Sequence, residues 1–419
     1  MTARRALAAG GVAALLVSAC AVAAAASGER FDHVVVTSPS PLPPVDVVAF
    51  DEAGVRRSTP VDAFASRAGG SELHLRARDL GARAATPPAG ARWIVRARRD
   101  DGGAERVGYL VPRVADAVAP PPLGRLDAIA FVGARFSLAF PDGSGFYRDL
   151  RIGDAVKPLV HAIRLRVTAT LPAGFAVTRS EEDFRWQVTG LDVGARFARR
   201  SSTASVRALL RDTEPRAQTA LLADDLIEQR VRVDLPRSLL ALARDVTLDN
   251  AFEVDAGTLA LVPGASAWQP VRALAASSAR YTWLVLASDA GALVHRLAPE
   301  GEAAALEPVL LSRARDGDGA RWEVGYRVAH AERAAHAAGA AREGEVQRAN
   351  PAAAADTADT TDDGRGFVLG QYVAILGDGA WAQALIADPE RTRALARELE
   401  AELARPLPAW HATLEELSP

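Results

Sequence analysis

Ala162-Ile163-Arg164-Leu165-Arg166-Val167-Thr168-Ala169-Thr170-Leu171 alternates apolar and polar side chains almost without a break. Successive side chains of a strand point to opposite faces, so this stretch predicts a strand with one dry face and one wet face. Pro172-Ala173-Gly174-Phe175 then ends it in a turn. The same grammar extends outward. Phe184-Arg185-Trp186-Gln187-Val188 and Val231-Arg232-Val233-Asp234-Leu235 alternate as well. Phe136 to Phe140 leads through Pro141-Asp142-Gly143-Ser144-Gly145 into Phe146-Tyr147, which reads as a hairpin with glycines in its turn. Between these strands, Ala217, Ala220, Leu221, Ala223, Leu226 and Ile227 fall at helical spacing and predict a helix beside the sheet. Residues 125–265 are therefore expected to form a central β-sandwich-like module with a helix.

The flanks read similarly. Residues 31–118 hold short β-branched or aromatic runs, including Val45 to Phe50, Glu72 to Arg76, Trp93 to Arg96 and Val107 to Val111, separated by Gly, Pro and Asp clusters. The stiff stretch at residues 119–124, with Pro120-Pro121-Pro122, reads as a linker. A third β region is expected over residues 266–335. Its Trp283-to-Gly291 and Gly319-to-Val324 phrases echo Val47-to-Gly54 and Gly90-to-Val95 in the same order, the pattern a degenerate internal repeat would leave. Residues 336–365 include a run of Ala, Asp and Thr from Ala352 to Asp363. Such a run buries too little apolar area to offset its ordering entropy, so it predicts a disordered linker or loop. Residues 366–419 read as a helical C-terminal segment. Phe367 to Ala387 is apolar around Asp378 and is expected to dock on the β body. Asp388-Pro389-Glu390 opens a helix striped by Leu395, Leu399 and Leu403. The expected fold class is mainly β (α+β), with β-sandwich-like modules, one or two helices and a helical C-terminus.

Lys157 is the only lysine, Asn250 and Asn350 the only asparagines and Met1 the only methionine, while alanine and arginine abound. That is the bias of a GC-rich coding sequence. The arginines do not make a nucleic-acid surface, because acids outnumber bases and the formal net charge is −3. Without Arg4 and Arg5 the balance falls further, to −5.

Those two arginines open a leader. After Met1-Thr2-Ala3-Arg4-Arg5 comes an uncharged apolar run from Ala6, closed by Val17-Ser18-Ala19-Cys20, which is the order of a secretory signal peptide. The tetrapeptide resembles the lipobox of bacterial lipoproteins. That resemblance implies cleavage after residue 19, a lipid on the thiol of Cys20, and export to the cell envelope with the lipid as the membrane contact. Residues 20–30 would then be a tether. Ala21 is not the Asp that resembles an inner-membrane retention signal, which favours the outer membrane in a host with two. Cys20 is the only cysteine, so no disulfide within the chain is expected.

The body carries few chemical motifs. His330 and His336 are six apart, whereas a zinc-binding helix puts histidines at i and i+4. Asp359-Thr360-Thr361-Asp362-Asp363-Gly364 brushes against a calcium loop but has Gly370 where a bidentate Glu belongs. Asp316-Gly317-Asp318-Gly319 reads as a turn. Gly143-Ser144-Gly145 lacks the spacing of a nucleophile elbow. His161 is a candidate base that a strand more often half-buries. Glu181-Glu182-Asp183 is the one acidic loop suited to glycoside chemistry, which needs two carboxylates. Trp186, Trp268, Trp283 and Trp322 would stack on sugars if exposed. No catalytic residue, metal site or cofactor is assigned. The leading expectation is a non-catalytic binding or assembly component of the envelope with a protein or glycan partner. The alternative is a hydrolase acting on polysaccharide or peptidoglycan through paired carboxylates.

Overall fold

The computed structural model describes residues 33–61, 63–65, 70–99, 102–113, 128–133, 135–172, 174–194, 197–205, 215–222, 226–234, 243–274, 280–299, 307–315, 319–330, 366–403 and 410–418. The leader, Cys20, the tether, the 119–124 linker and the 336–365 segment lie outside these residues. In chain order the strands begin with β1 (His33–Ser38), β2 (Val45–Phe50), β3 (Arg56–Val61), β4 (Ala63–Ala65), β5 (Ser71–Arg76), β6 (Trp93–Arg99) and β7 (Arg106–Pro112). Next come β8 (Ala128–Val132), β9 (Phe136–Pro141), β10 (Arg148–Ile152), β11 (Val160–Thr170), β12 (Ala176–Ser180), β13 (Arg185–Gly194), β14 (Phe197–Ser205), β15 (Pro215–Leu222), β16 (Leu226–Asp234) and β17 (Asp245–Asp255). Then follow β18 (Leu259–Leu261), β19 (Gln269–Pro270), β20 (Trp283–Ser288), β21 (Gly291–Pro299), β22 (Val309–Ala314), β23 (Arg321–His330) and β24 (Gly366–Gly377). Helices α1 (Gly379–Ile386) and α2 (Pro389–Leu403) precede β25 (Trp410–Glu416). The protein is mostly β, with several sheets and two α-helices among the described residues.

Three sheets result. The N-terminal sheet has the order β3-β2-β7-β6-β25-β1-β5-β4. A second runs β22-β23-β17-β11-β10-β9-β8, with β12 on β11. The third runs β13-β14-β15-β16-β24-β21-β20-β18-β19. The second and third face each other across one core, which joins Leu165, Leu248, Phe252 and Tyr326 to Ile227, Val231, Leu293 and Val373. The alternation of β11 is what builds this core: Ile163, Leu165, Val167 and Ala169 are buried in it. The helices cover the other face of the third sheet, where Ala396 and Leu399 of α2 meet Trp283, Val285, Val294 and Tyr372. The N-terminal sheet has its own core of Val34, Val47, Leu73, Leu75, Val95 and Leu110.

Several expectations change. The expected helix is replaced by the antiparallel strands β15 and β16, with Ala217 opposite Val231 and Thr219 opposite Gln229. Pairing with β14 and β24 overrides the helical spacing of the apolar residues. The C-terminal segment is helical only in its middle. Gly366–Gly377 is a central strand between β16 and β21, and Trp410–Glu416 returns to the N-terminal sheet. The echoing phrases do not form a repeat. β2 and β6 share one sheet, whereas β20 and β23 lie in different sheets. Asp388 caps α2 as expected, its Oδ1 accepting from Glu390 N at 3.0 Å and Arg391 N at 3.1 Å, and Asp378 also caps α1, its Oδ1 accepting from Trp381 N at 2.9 Å. No helix among the described residues is long and apolar enough to cross a membrane.

Candidate functional site

The wet face of β11 meets a lattice of charges. Register places Glu253 of β17 directly opposite Glu323 of β23, and both are buried. Like charges across a strand pair repel, and burial removes the water that would screen them, so each needs cations. Arg164 Nε donates to Glu253 Oε2 at 2.7 Å, and Arg315 donates to the same oxygen. Arg313 Nε donates to Glu323 Oε2 at 2.6 Å and its Nη1 to Asp249 Oδ2 at 2.8 Å. Arg327 adds a forked pair on Asp249 at 2.6 and 3.0 Å.

The acidic loop belongs to this lattice. Glu181 is buried, bonded to Arg164 and accepting from Leu165 N at 3.3 Å; Glu182 meets Arg164 at 2.8 Å. Asp183 turns away and accepts from Ser180 N at 2.8 Å. Burial pushes the Glu181 carboxyl above its ordinary value against the pull of Arg164. Burial also works against the Glu253 carboxylate, but Arg315 and Arg164 outweigh it and hold the group below its ordinary value. His161 Nε2 lies 3.2 Å from Asp255 Oδ1, and Asp255 also takes Arg321 at 2.8 Å. Burial, then the Arg321 charge, lowers the pKa of His161.

The four tryptophans form no platform. Trp186 and Trp283 are buried. Trp186 packs edge-on to Phe146 and Phe184 over Gly145, where a Cβ would come within 2.4 Å of the indole. Trp268 Nε1 donates to Thr392 Oγ1 at 2.8 Å and Trp322 Nε1 to Ser312 Oγ at 2.7 Å. His330 ends β23, while His336 and Asp359 to Gly364 lie outside the described residues; Gly370 is in the middle of β24. Gly319, at φ +66, sits between β22 and β23, and Asp316 to Asp318 lie outside the described residues. No group of three or more His, Cys, Asp or Glu residues that could hold a metal occurs among the described residues.

A polar seam inside the sandwich escaped sequence reasoning. His295 of β21 donates from Nε2 to Gln371 Oε1 at 2.9 Å, so its Nδ1 is left to accept from the Tyr281 hydroxyl. Gln371 donates onward to Gln229, and Gln229 Nε2 to Thr219 Oγ1 at 3.5 Å. All five are buried. Burial lowers the His295 pKa to about 4, opposed by Gln371, so the ring is neutral. Sealed from solvent, the seam runs across neighbouring strands of the third sheet, and Tyr326 of β23 reaches it from the second with its hydroxyl donating to Gln371 Oε1 at 3.4 Å. Only the scatter of His295, Gln229 and Gln371 in apolar runs hinted at it.

One open concavity stands apart from the lattice and the seam. A groove of about 440 Å³ lies between α2, which contributes Arg393, Ala396, Arg397 and Glu400, and the Gly264-Ala265-Ser266 turn after β18. Its walls are tied together. Gly264 N donates to Glu400 Oε1 at 2.9 Å, and the Trp268–Thr392 bond is backed by Thr392 Oγ1 donating to Leu385 O at 3.0 Å.

No family model matches the chain, and no curated protein matches it in sequence. Among solved structures it is similar to an alpha-mannosidase from Enterococcus faecalis V583, with 8% identity and a TM-score of 0.39. The match covers 92% of this chain and 40% of the mannosidase, so the chain spans about two-fifths of that protein's length.

Proposed function

We propose that the chain is an exported protein anchored by a lipid on Cys20, and that its β body works as a binding or assembly component of the cell envelope. Val17-Ser18-Ala19-Cys20 supports the anchor, and Ala21 favours the outer membrane in a host with two. The choice of binding over hydrolysis rests on one observation: Arg164 engages Glu181, Glu182 and Glu253 together. A glycosidase needs one carboxyl to release a proton and a second to act as base or nucleophile, both facing substrate. Here the acids of the loop are bound to a guanidinium or to a cap.

Fatty-acid labelling and fractionation of wild type and Cys20→Ala test the anchor. Label and membrane association are expected in wild type alone, and equal membrane partitioning of the two overturns the anchor. The unlipidated body, residues 21–419, is then incubated with peptidoglycan and envelope polysaccharide. New reducing ends that disappear in Glu181→Gln would make it a hydrolase.

A further inference from the structure

We infer that the groove between α2 and the Gly264–Ser266 turn seats an anionic saccharide, a sugar bearing a phosphate or carboxylate. The inference rests on the binding reading of the body but not on the lipid anchor. Arg393 and Arg397 are one helical turn apart, both are exposed, and both line the groove. Like charges one turn apart on a helix repel each other. Among the described residues neither guanidinium has an acidic partner; Arg397 Nε donates to Arg393 O at 3.3 Å.

The arginines of the charge lattice and the neighbouring Arg391 are held differently. Arg164, Arg313, Arg315 and Arg327 each hold carboxylates, and Arg391, two residues before Arg393, lies 4.0 Å from Asp388. The one acid in the groove, Glu400, has its Oε1 on the Gly264 amide instead. Two planar forks on one wall match the paired oxygens of a phosphate or carboxylate. Ser266 and the remaining oxygen of Glu400 supply a donor and an acceptor for sugar hydroxyls. The volume suits a small ligand, and the ties at Gly264 and Thr392 preorganise the walls.

The test uses the unlipidated body with glucose 1-phosphate, glucuronate, inorganic phosphate and glucose, read by calorimetry and ligand-observed magnetic resonance. The charged sugars should bind, more weakly at about 0.2 M salt than at low salt. Arg393→Gln with Arg397→Gln should cost about tenfold or more in affinity without changing the melting temperature, whereas Arg391→Gln should cost nothing. Inorganic phosphate binding as tightly as the sugar phosphate would overturn the saccharide. Glucose binding as tightly as its charged relatives, unchanged binding in the double variant, or no binding at all would overturn the anionic seat. A body that binds while Cys20→Ala still partitions with membrane loses only the anchor.

Discussion

The guanidinium of Arg164 on β11 and the carboxylate of Glu253 on neighbouring β17 form a buried pair, with Nε 2.7 Å from Oε2 and both side chains less than a tenth exposed. The pair sits on the face that alternation marks as wet. Acids and bases from four strands and the Glu181 turn enclose each other there, so polar residues are buried by pairing with one another.

Arg164→Met is therefore expected to destabilise the protein by about 3 kcal/mol, since it leaves Glu181 buried without its cation while Glu253 keeps Arg315. Arg164→Lys, which keeps the charge but loses the fork, should fall between the two. Urea denaturation measures both. A loss below about 1 kcal/mol for Arg164→Met would mean the lattice is slack.

Acid should unfold the sandwich through His295. Its pKa in the folded protein, about 4, lies below the ordinary 6.5 because burial disfavours the imidazolium. The unfolded chain thus takes the proton first as pH falls. Stability is full above pH 6.5 and is lost progressively as pH falls toward 4, by about 3 kcal/mol in total for this group. His161, also lowered, adds in the same direction. Urea midpoints between pH 7 and 4 should lose about one proton of slope in His295→Gln. An unchanged slope would mean that the seam takes up a proton in place.

Deleting residues 408–419 removes β25, whose seven residues pair antiparallel with β6 and touch β1 through Val34 and Trp410. Amide exchange should rise along β6 and β1 while β11, β17 and β24 keep their protection. A synthetic peptide of the deleted residues should restore protection to β6. Unaltered exchange in β6 would show that the N-terminal sheet closes without its C-terminal strand.

Gly145→Ala should cost about 1–3 kcal/mol, because the added Cβ lies 2.4 Å from an indole held by two rings and by its bond to Glu181 O at 3.2 Å. Gly257→Ala, with nothing within 4 Å, is the control. Thermal melts and tryptophan fluorescence report on both. Equal melting temperatures would mean that Trp186 has room to move.

How much of this was legible follows from where each signal resides. The sandwich strands that bury one face, such as β11 with Ile163, Leu165 and Val167, announced themselves by period two. β20 and β24 did not, because the core covers one face and the helices the other, and strands covered on both sides lose alternation. Phe367 to Leu376 thus read as a docking run next to a helix rather than as the centre of a sheet. In the candidate site, the paired spacing of Arg393 and Arg397 was visible only as part of a helix; the opposing Gly264–Ser266 turn is more than 120 residues away in the chain.

By itself the sequence determined what depends on neighbours along the chain: the mainly β class, the strand of Ala162 to Thr170, and the cap at Asp388. Backbone periodicity and capping are local physics, decided within a few residues. Only the tertiary structure decided that β15 and β16 are paired strands, that β25 completes the N-terminal sheet, and that Glu181 is buried against Arg164. Those outcomes depend on strand register and on contacts between residues far apart in the chain. A one-residue slip in register would part Glu253 from Arg164, and nothing in the neighbouring sequence records that slip.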